Sequence, residues 1–302
     1  VTGGAPESGG GAPAPRTAKS EFGTRAIFAP LMLGIVAAVY WFDATWMAER
    51  GLRGTLTAAL LGLLGMGGIA EYVVMMRNAG FAVARILLPV YSALLLASPF
   101  FFGWLQMDRE LYPLVISTLA LLFPIALESL SRRKITQGLE LQGGTMLGYL
   151  WIAWSMYLAE GMAMRHLPSV LFVVLVCKGG DIGAYLAGTA FGRHKLIPHV
   201  SGAKTIEGAL GGMAASVGLA LWLRDVLLLP EVPLGLTATV LVGIMLNVTT
   251  QTGDLIESLL KRRCGVKDSS RLLPAHGGIL DLIDSLLFSF PAFFLVLIWL
   301  TP

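Results

Sequence analysis

Residues 233–256 read PLGLTATVLVGIMLNVTTQTGDLI, and residues 257–284 continue ESLLKRRCGVKDSSRLLPAHGGILDLID. The first run is apolar and long enough, at roughly 20 residues, to cross the ~30 Å hydrocarbon core of a bilayer as a helix. It reaches Asp254 near its end and gives way to a basic, polar connection. Gly277 and Gly278 then lead into a second apolar run that opens on Asp281 and Asp284. Two long apolar runs with their charges gathered at the connection predict a pair of membrane helices with polar chemistry at one end.

The rest of the chain has the same character. Of its 302 residues 55% are hydrophobic and 14% charged, where a water-facing domain carries about 25% charged residues. The solvent for most of the chain is therefore lipid, and the length suits one helical membrane domain. Apolar stretches fall near 27–42, 55–76, 86–105, 111–130, 144–163, 167–190, 206–223, 233–256 and 279–300. The expected fold is all-α, a polytopic bundle of about nine transmembrane helices. Tyr40, Trp41, Trp46, Trp104, Tyr112, Trp222 and Trp299 collect near span ends as interfacial anchors, whereas Trp151 and Trp154 lie deeper and read as packing residues. Residues 1–20, VTGGAPESGGGAPAPRTAKS, carry no periodic apolar pattern and no signal-peptide core, so 1–25 is expected to be a disordered cytoplasmic tail. Residues 26–165 would form the N-terminal helices, and 166–302 the catalytic helices and loops. With only Cys177 and Cys264, a disulfide framework is not expected.

Orientation follows from the basic residues. With the N-terminus inside, the inner connections hold sixteen Lys and Arg. The outer ones hold five (Arg50, Arg53, Arg109, Arg165 and Arg224), and Lys178, within a span, completes the 22. That bias predicts a cytoplasmic N-terminus and an odd number of spans. Both basic connections of the C-terminal half then face the cytoplasm, where nucleotides are.

Carboxylates in a membrane cost about 2.5–3.5 kcal/mol each even on lenient insertion scales, so each needs a reason. Asp181, Asp254, Asp281 and Asp284 stand out. On a helix Asp254, Ser258 and Lys261 share a face, as do Asp281, Asp284 and Ser285. Two acids one turn apart repel unless a cation or proton lies between them, and Mg²⁺ takes one or two carboxylates with water and phosphate oxygens. Solvated acids at helix ends are the plainer explanation for any one of them. The connection adds Lys261, Arg262, Arg263, Lys267 and Arg271 within eleven residues. Gly277 and Gly278 let the backbone approach an anion at the start of a helix. Basic side chains, a close backbone and a carboxylate-held metal are the components of a polyphosphate site. A second cluster follows Asp181, with Arg193, His194, Lys195, His199 and Lys204 in a Gly/Pro-punctuated connection. Gly183, Gly188 and Gly192 there are placed either for that site or for close helix packing.

At these residues the chain resembles the CDP-diacylglycerol synthases, also called phosphatidate cytidylyltransferases. The family pattern runs Ser, two residues, Lys-Arg, four residues, Lys-Asp, then Pro-Gly-His-Gly-Gly, two residues and Asp-Arg-x-Asp. Ser258, Lys261, Arg262, Lys267, Asp268, Pro274, His276, Gly277, Gly278, Asp281 and Asp284 fall in register with it. The stretches DIGAYLAGTAFGRHKL (181–196) and SGAKTIEGALGG (201–212) are also similar, so the resemblance covers roughly residues 170–290. Two departures stand out. Leu282 replaces the family's Arg, which removes a positive charge that Arg271 or Arg263 would have to supply, and Ala275 replaces a Gly. Lys178, three residues before Asp181, is unusual for the family and placed to pair with that aspartate.

The resemblance implies transfer of the cytidylyl group of CTP to phosphatidic acid at the cytoplasmic face of a bacterial inner membrane. It implies Mg²⁺ as cofactor, on Asp254, Asp281 and Asp284, with a second, monovalent cation such as K⁺ nearby. Lys204, Lys261, Arg262, Lys267 and His276 would bind phosphates or the lipid headgroup, with Ser258, Asp181, Asp268, Gly277 and Gly278 completing the substrate site. Expected partners are CTP, phosphatidic acid and membrane lipids, with no nucleic acid and a homodimer as an open option. The alternatives are a CTP-dependent cytidylyltransferase or kinase for an isoprenoid lipid, an inactive family member, and a secondary transporter.

Overall fold

The computed structural model describes residues 34–102, 111–229, 232–273 and 277–300. The expected tail, the start of the first expected span, Trp104 and His276 lie outside the described residues. The chain is built from helices: α1 (34–42), α2 (Thr55–Asn78), α3 (Leu87–Phe102), α4 (Leu111–Leu130), α5 (Ile135–Gly148), α6 (Trp154–Arg165) and α7 (Leu167–Phe191) come first. A two-stranded antiparallel hairpin follows, β1 (Lys195–Ile197) and β2 (Ser201–Thr205). Then come α8 (Ile206–Leu223), α9 (Leu236–Arg263), α10 (Ile279–Ile283) and α11 (Ser289–Leu300).

Thr55–Asn78, Tyr112–Leu130, Leu167–Phe191 and Ile206–Leu228 are long and apolar enough to cross a membrane, while Leu87–Phe101 and Ser289–Leu300 are apolar but shorter. An all-α membrane protein results, with four such helices among the described residues where the sequence predicts nine spans. Large apolar side chains point outward along them, among them Leu63, Phe123, Leu210 and Trp222, as a lipid-facing surface requires. Tyr72, Phe172, Phe290 and Phe293 are fully enclosed at the centre.

Three elements differ from the expected spans, each for a local reason. The fifth, predicted over 144–163, is part of a longer helical path from Ile135 to Arg165, with a π-helical turn at Tyr149–Ala153 between α5 and α6. Its polar opening, ITQGLELQGG, extends the helix beyond the apolar run that hydropathy detects. The eighth, predicted over 233–256, continues to Arg263, so Asp254 lies over two turns before the helix ends. The ninth, predicted over 279–300, is broken at residues 284–288 into α10 and α11. At the break the Asp284 carboxylate accepts the Ser285 N–H at 2.5 Å, which substitutes for a helical bond.

Buried Asp43 ties α1 to α2. Its two oxygens accept the N–H groups of Gly54 at 2.9 Å and Thr57 at 2.8 Å, donors that the first turn of α2 otherwise leaves unpaired. Small residues bring α7 and α8 together. A Cβ on Gly183 would lie 2.4 Å from that of Ala215, and one on Gly211 would lie 2.2 Å from that of Ala187. Gly183 and Gly188 therefore face α8, which is the packing alternative for these glycines.

Candidate active site

The close α7–α8 pair, the hairpin and α9 surround a cavity of about 560 Å³ that also reaches α10 and the break after it. Lys178 and Asp181 enter from α7, Lys204 from β2, and Asp254, Glu257 and Lys261 from α9. Asp281, Asp284 and Ser285 complete the polar wall.

Gly253 sets the geometry on the α9 side. A Cβ there would stand 2.4 Å from the carbonyl oxygen of Asp284, so only glycine lets α9 touch the broken helix. The contact brings Asp254, Glu257 and Asp284 together, with one oxygen of each within 4.8 Å of the others. Glu257 is fully buried, and its Oε1 has no hydrogen-bond partner among the described residues. A buried carboxylate oxygen left unpaired beside two more acids is what a hard oxygen-seeking cation resolves, so the donor set fits Mg²⁺.

Asp281 is engaged differently. Its Oδ1 takes the Lys261 ammonium at 2.5 Å, and its Oδ2 accepts Ser269 N–H at 2.8 Å, Ser269 Oγ at 2.7 Å and Gly278 N–H at 2.7 Å. Lys261 also bonds Glu257 Oε2 at 2.6 Å. Burial alone would lower the Lys261 amine, but Glu257 and Asp281 outweigh it and hold its pKa above the ordinary lysine value. The expected metal set of Asp254, Asp281 and Asp284 is thus not one cluster: Glu257 completes the group of three, and Asp281 anchors a loop and a lysine. Lys204 Nζ lies 2.6 Å from Asp254 Oδ2. Ser258 Oγ stands 3.5 Å from Asp254 Oδ1.

Around this centre the connection from α9 to α10 is held from a distance. Glu71 of α2 accepts Ser270 Oγ at 2.7 Å, Ile279 N–H at 2.9 Å and Leu280 N–H at 2.8 Å, and it shares the single proton of the Ser269 hydroxyl, 2.9 Å away, with Asp281. Gly277 adopts φ +89°, and a Cβ on it would meet Asp281 Oδ2 at 2.6 Å, so glycine is required both for the turn and for the approach. Arg262, Lys267 and Asp268 are exposed and do not line the cavity. His194 pairs with Glu207 at 2.6 Å outside it. The Lys178 ammonium reaches the Leu282 carbonyl at 3.1 Å and Ser285 Oγ at 2.7 Å, and lies 3.8 Å from Asp181.

Glu71, Glu257 and Ser269 escape the sequence reading. Glu257 is one turn from both Asp254 and Lys261, and Glu71 is a lone acid in an apolar helix, so the cost of burying a charge is the signal that marks both.

The comparisons with known proteins point one way. A sequence model described as the cytidylyltransferase family matches residues 23–300. The Escherichia coli (strain K12) protein YnbB, whose name calls it uncharacterized, is 39% identical over 142 residues, covering 47% of this chain and 46% of YnbB. A phosphatidate cytidylyltransferase of Staphylococcus saprophyticus is 41% identical over 143 residues, 47% of this chain and 54% of that protein. One of Staphylococcus aureus (strain COL) is 43% identical over 131 residues, 43% of this chain and 48% of that protein. The chain spans about half the length of the curated relatives it matches.

Proposed function

The chain belongs to the cytidylyltransferase family, and from that membership we propose that it transfers the cytidylyl group of CTP to phosphatidic acid, giving CDP-diacylglycerol and pyrophosphate. The observation that carries the proposal is the cavity where Asp254, Glu257 and Asp284 converge beside Lys204 and Lys261. It offers a cation site and ammonium groups in one place, as the meeting of two polyanions requires. The names of the two staphylococcal relatives, both phosphatidate cytidylyltransferases, support phosphatidate as the acceptor. The family match leaves the transporter alternative without support.

In the proposed step a phosphate oxygen of the lipid attacks the α-phosphorus of CTP. The bond from that phosphorus to the pyrophosphate oxygen breaks, and its electron pair leaves with pyrophosphate. The nucleophile is already an anion, so no side chain need remove a proton. Asp254, Glu257 and Asp284 would hold Mg²⁺, which when bound neutralises charge on the phosphates. Lys204 would exchange its Asp254 contact for a phosphate of the nucleotide. Lys261, fixed between Glu257 and Asp281, would keep its charge at the cavity floor. Arg262, Lys267 and His276 would meet the polyphosphate from the loop, with Asp281 and Asp268 shaping that loop. Tyr185 on the cavity wall is 69% exposed, beside exposed Ile182 and Leu186, which supports entry of acyl chains from the bilayer.

The nine-span arrangement with a cytoplasmic N-terminus in a bacterial inner membrane is part of this proposal. Its supports are the positive-inside bias and the stacking of Arg263 4.9 Å over Phe81, which brings the basic end of α9 to the α2–α3 turn, another connection expected inside. The test is incubation of the purified chain with labelled CTP, Mg²⁺ and a panel of phosphatidic acid and isoprenoid phosphates. CDP-diacylglycerol is expected. No labelled lipid under conditions where a known synthase works would overturn the proposal, and product only with an isoprenoid phosphate would move it to that substrate.

A further inference from the structure

We propose that Lys178 is the built-in monovalent cation of this site, so that a single divalent ion completes its charge. This rests on reading Asp254, Glu257 and Asp284 as a divalent-metal group. The Lys178 ammonium is surrounded by three oxygens of different kinds: the Leu282 carbonyl at 3.1 Å, the Ser285 hydroxyl at 2.7 Å and the Asp181 carboxylate at 3.8 Å. Carbonyl, hydroxyl and carboxylate oxygens are the donors that a potassium ion takes, and an ammonium group matches that ion in charge and closely in size.

The position is as informative as the donors. Leu282 and Ser285 flank Asp284, and Lys178, Asp284 and Ser285 line the same cavity. One cation on α7 therefore ties down both sides of the segment that presents Asp284. Leu282 contributes its backbone oxygen there, while its side chain packs against the apolar core. A positive charge is thus present next to residue 282 although the residue itself is apolar.

Charge balance supports a single added ion. The cavity is lined by five carboxylates, Asp181, Asp254, Glu257, Asp281 and Asp284, against three ammonium groups, Lys178, Lys204 and Lys261. The formal excess of two negative charges is what one Mg²⁺ supplies. A further free monovalent cation would leave the resting cavity net positive.

The experiment uses the full chain purified in detergent, without nucleotide or lipid, and titrates Mn²⁺ by calorimetry in choline chloride and in potassium chloride. Wild-type affinity is expected to be the same in both salts. Lys178→Met is expected to make Mn²⁺ affinity depend on the salt, differing about tenfold between choline and potassium as a potassium ion takes the vacated place. Lys178→Arg, which keeps the charge, is expected to stay independent of potassium. A wild-type affinity that falls about tenfold without potassium overturns the assignment whether or not Lys178→Met folds. So does a Lys178→Met protein whose Mn²⁺ affinity is the same in both salts. Failure of wild type to bind Mn²⁺ in either salt overturns the metal reading itself, while failure to use phosphatidic acid leaves this result untouched.

Discussion

Glu71, in the second half of α2, accepts the backbone N–H of Leu280 at 2.8 Å. The two residues are 209 apart in sequence, so the bond joins the N-terminal helices directly to the start of the helix that carries Asp281. With Ser269, Ser270 and Ile279 also bonded to the same carboxylate, the N-terminal half holds the α9–α10 connection in place. From Glu71 the contacts run through Ser269 to Asp281, Lys261 and Glu257.

Glu71→Gln leaves one oxygen to accept where four donors converge. Hydrogen bonds to a charged group contribute about 1.5–3 kcal/mol each, so losing two of them predicts a fall in turnover of roughly a hundredfold or more. The helices should remain intact, and hydrogen exchange should speed up at Ile279 and Leu280. Unchanged turnover with unchanged exchange would show that the clamp is dispensable.

Lys261 lies between two enclosed acids, with side-chain exposures of 0% for Glu257 and 8% for Asp281. Lys261→Met leaves both uncompensated, and breaking a buried ion pair costs about 3–5 kcal/mol, so the variant should unfold at markedly lower temperature. The pH dependence has a definite sign. The folded pKa is raised above the free value of 10.5, so the contribution is fully present below that value and is lost only as pH rises through the raised one. Thermal melts of the wild type should therefore show no Lys261-linked loss up to about pH 10.

Glu257 and Asp281 should separate in metal binding. Glu257→Gln removes a proposed ligand and should weaken Mn²⁺ binding by about a hundredfold. Asp281→Asn should abolish CDP-lipid formation while leaving Mn²⁺ affinity within about tenfold, since its oxygens serve Lys261, Ser269 and Gly278. Calorimetry that reverses the two results would return Asp281 to the metal set.

The membrane character and the chemistry of the α9–α10 segment are legible because both are local. Apolar length marks a span, and acid–basic–glycine spacing marks the connection. Helix ends are less legible, since α5 and α9 run on through polar residues that hydropathy discounts. The break after Ile283 is hidden for a different reason. Residues 279–300 are apolar enough to read as one helix, and what interrupts them is a tertiary arrangement around Asp284. Partner choice is the least visible of all. Asp254, Ser258 and Lys261 share a helix face, yet Asp254 pairs with Lys204, fifty residues earlier, and Lys261 pairs with Glu257 and Asp281. Glu71 could not be tied to the loop from sequence, because nothing local relates α2 to residue 269.

Gly253→Ala tests whether the approach of α9 to Asp284 brings together the acids proposed to hold a cation. Alanine favours a helix over glycine by about 0.5–1 kcal/mol, so helix propensity alone predicts a gain in stability. The new methyl would stand 2.4 Å from the Asp284 carbonyl oxygen, which is backbone and cannot rotate away. Overpacking of this kind costs about 1–3 kcal/mol and would push Asp254 and Glu257 away from Asp284. Mn²⁺ binding should fall by about tenfold or more even where the helices survive. Gly218→Ala in α8 is the matched control, because a Cβ there meets nothing within 4 Å and only the propensity gain remains. Melting temperature should hold or rise for Gly218→Ala with Mn²⁺ affinity intact, and the opposite pattern at Gly253 attributes the loss to that one contact.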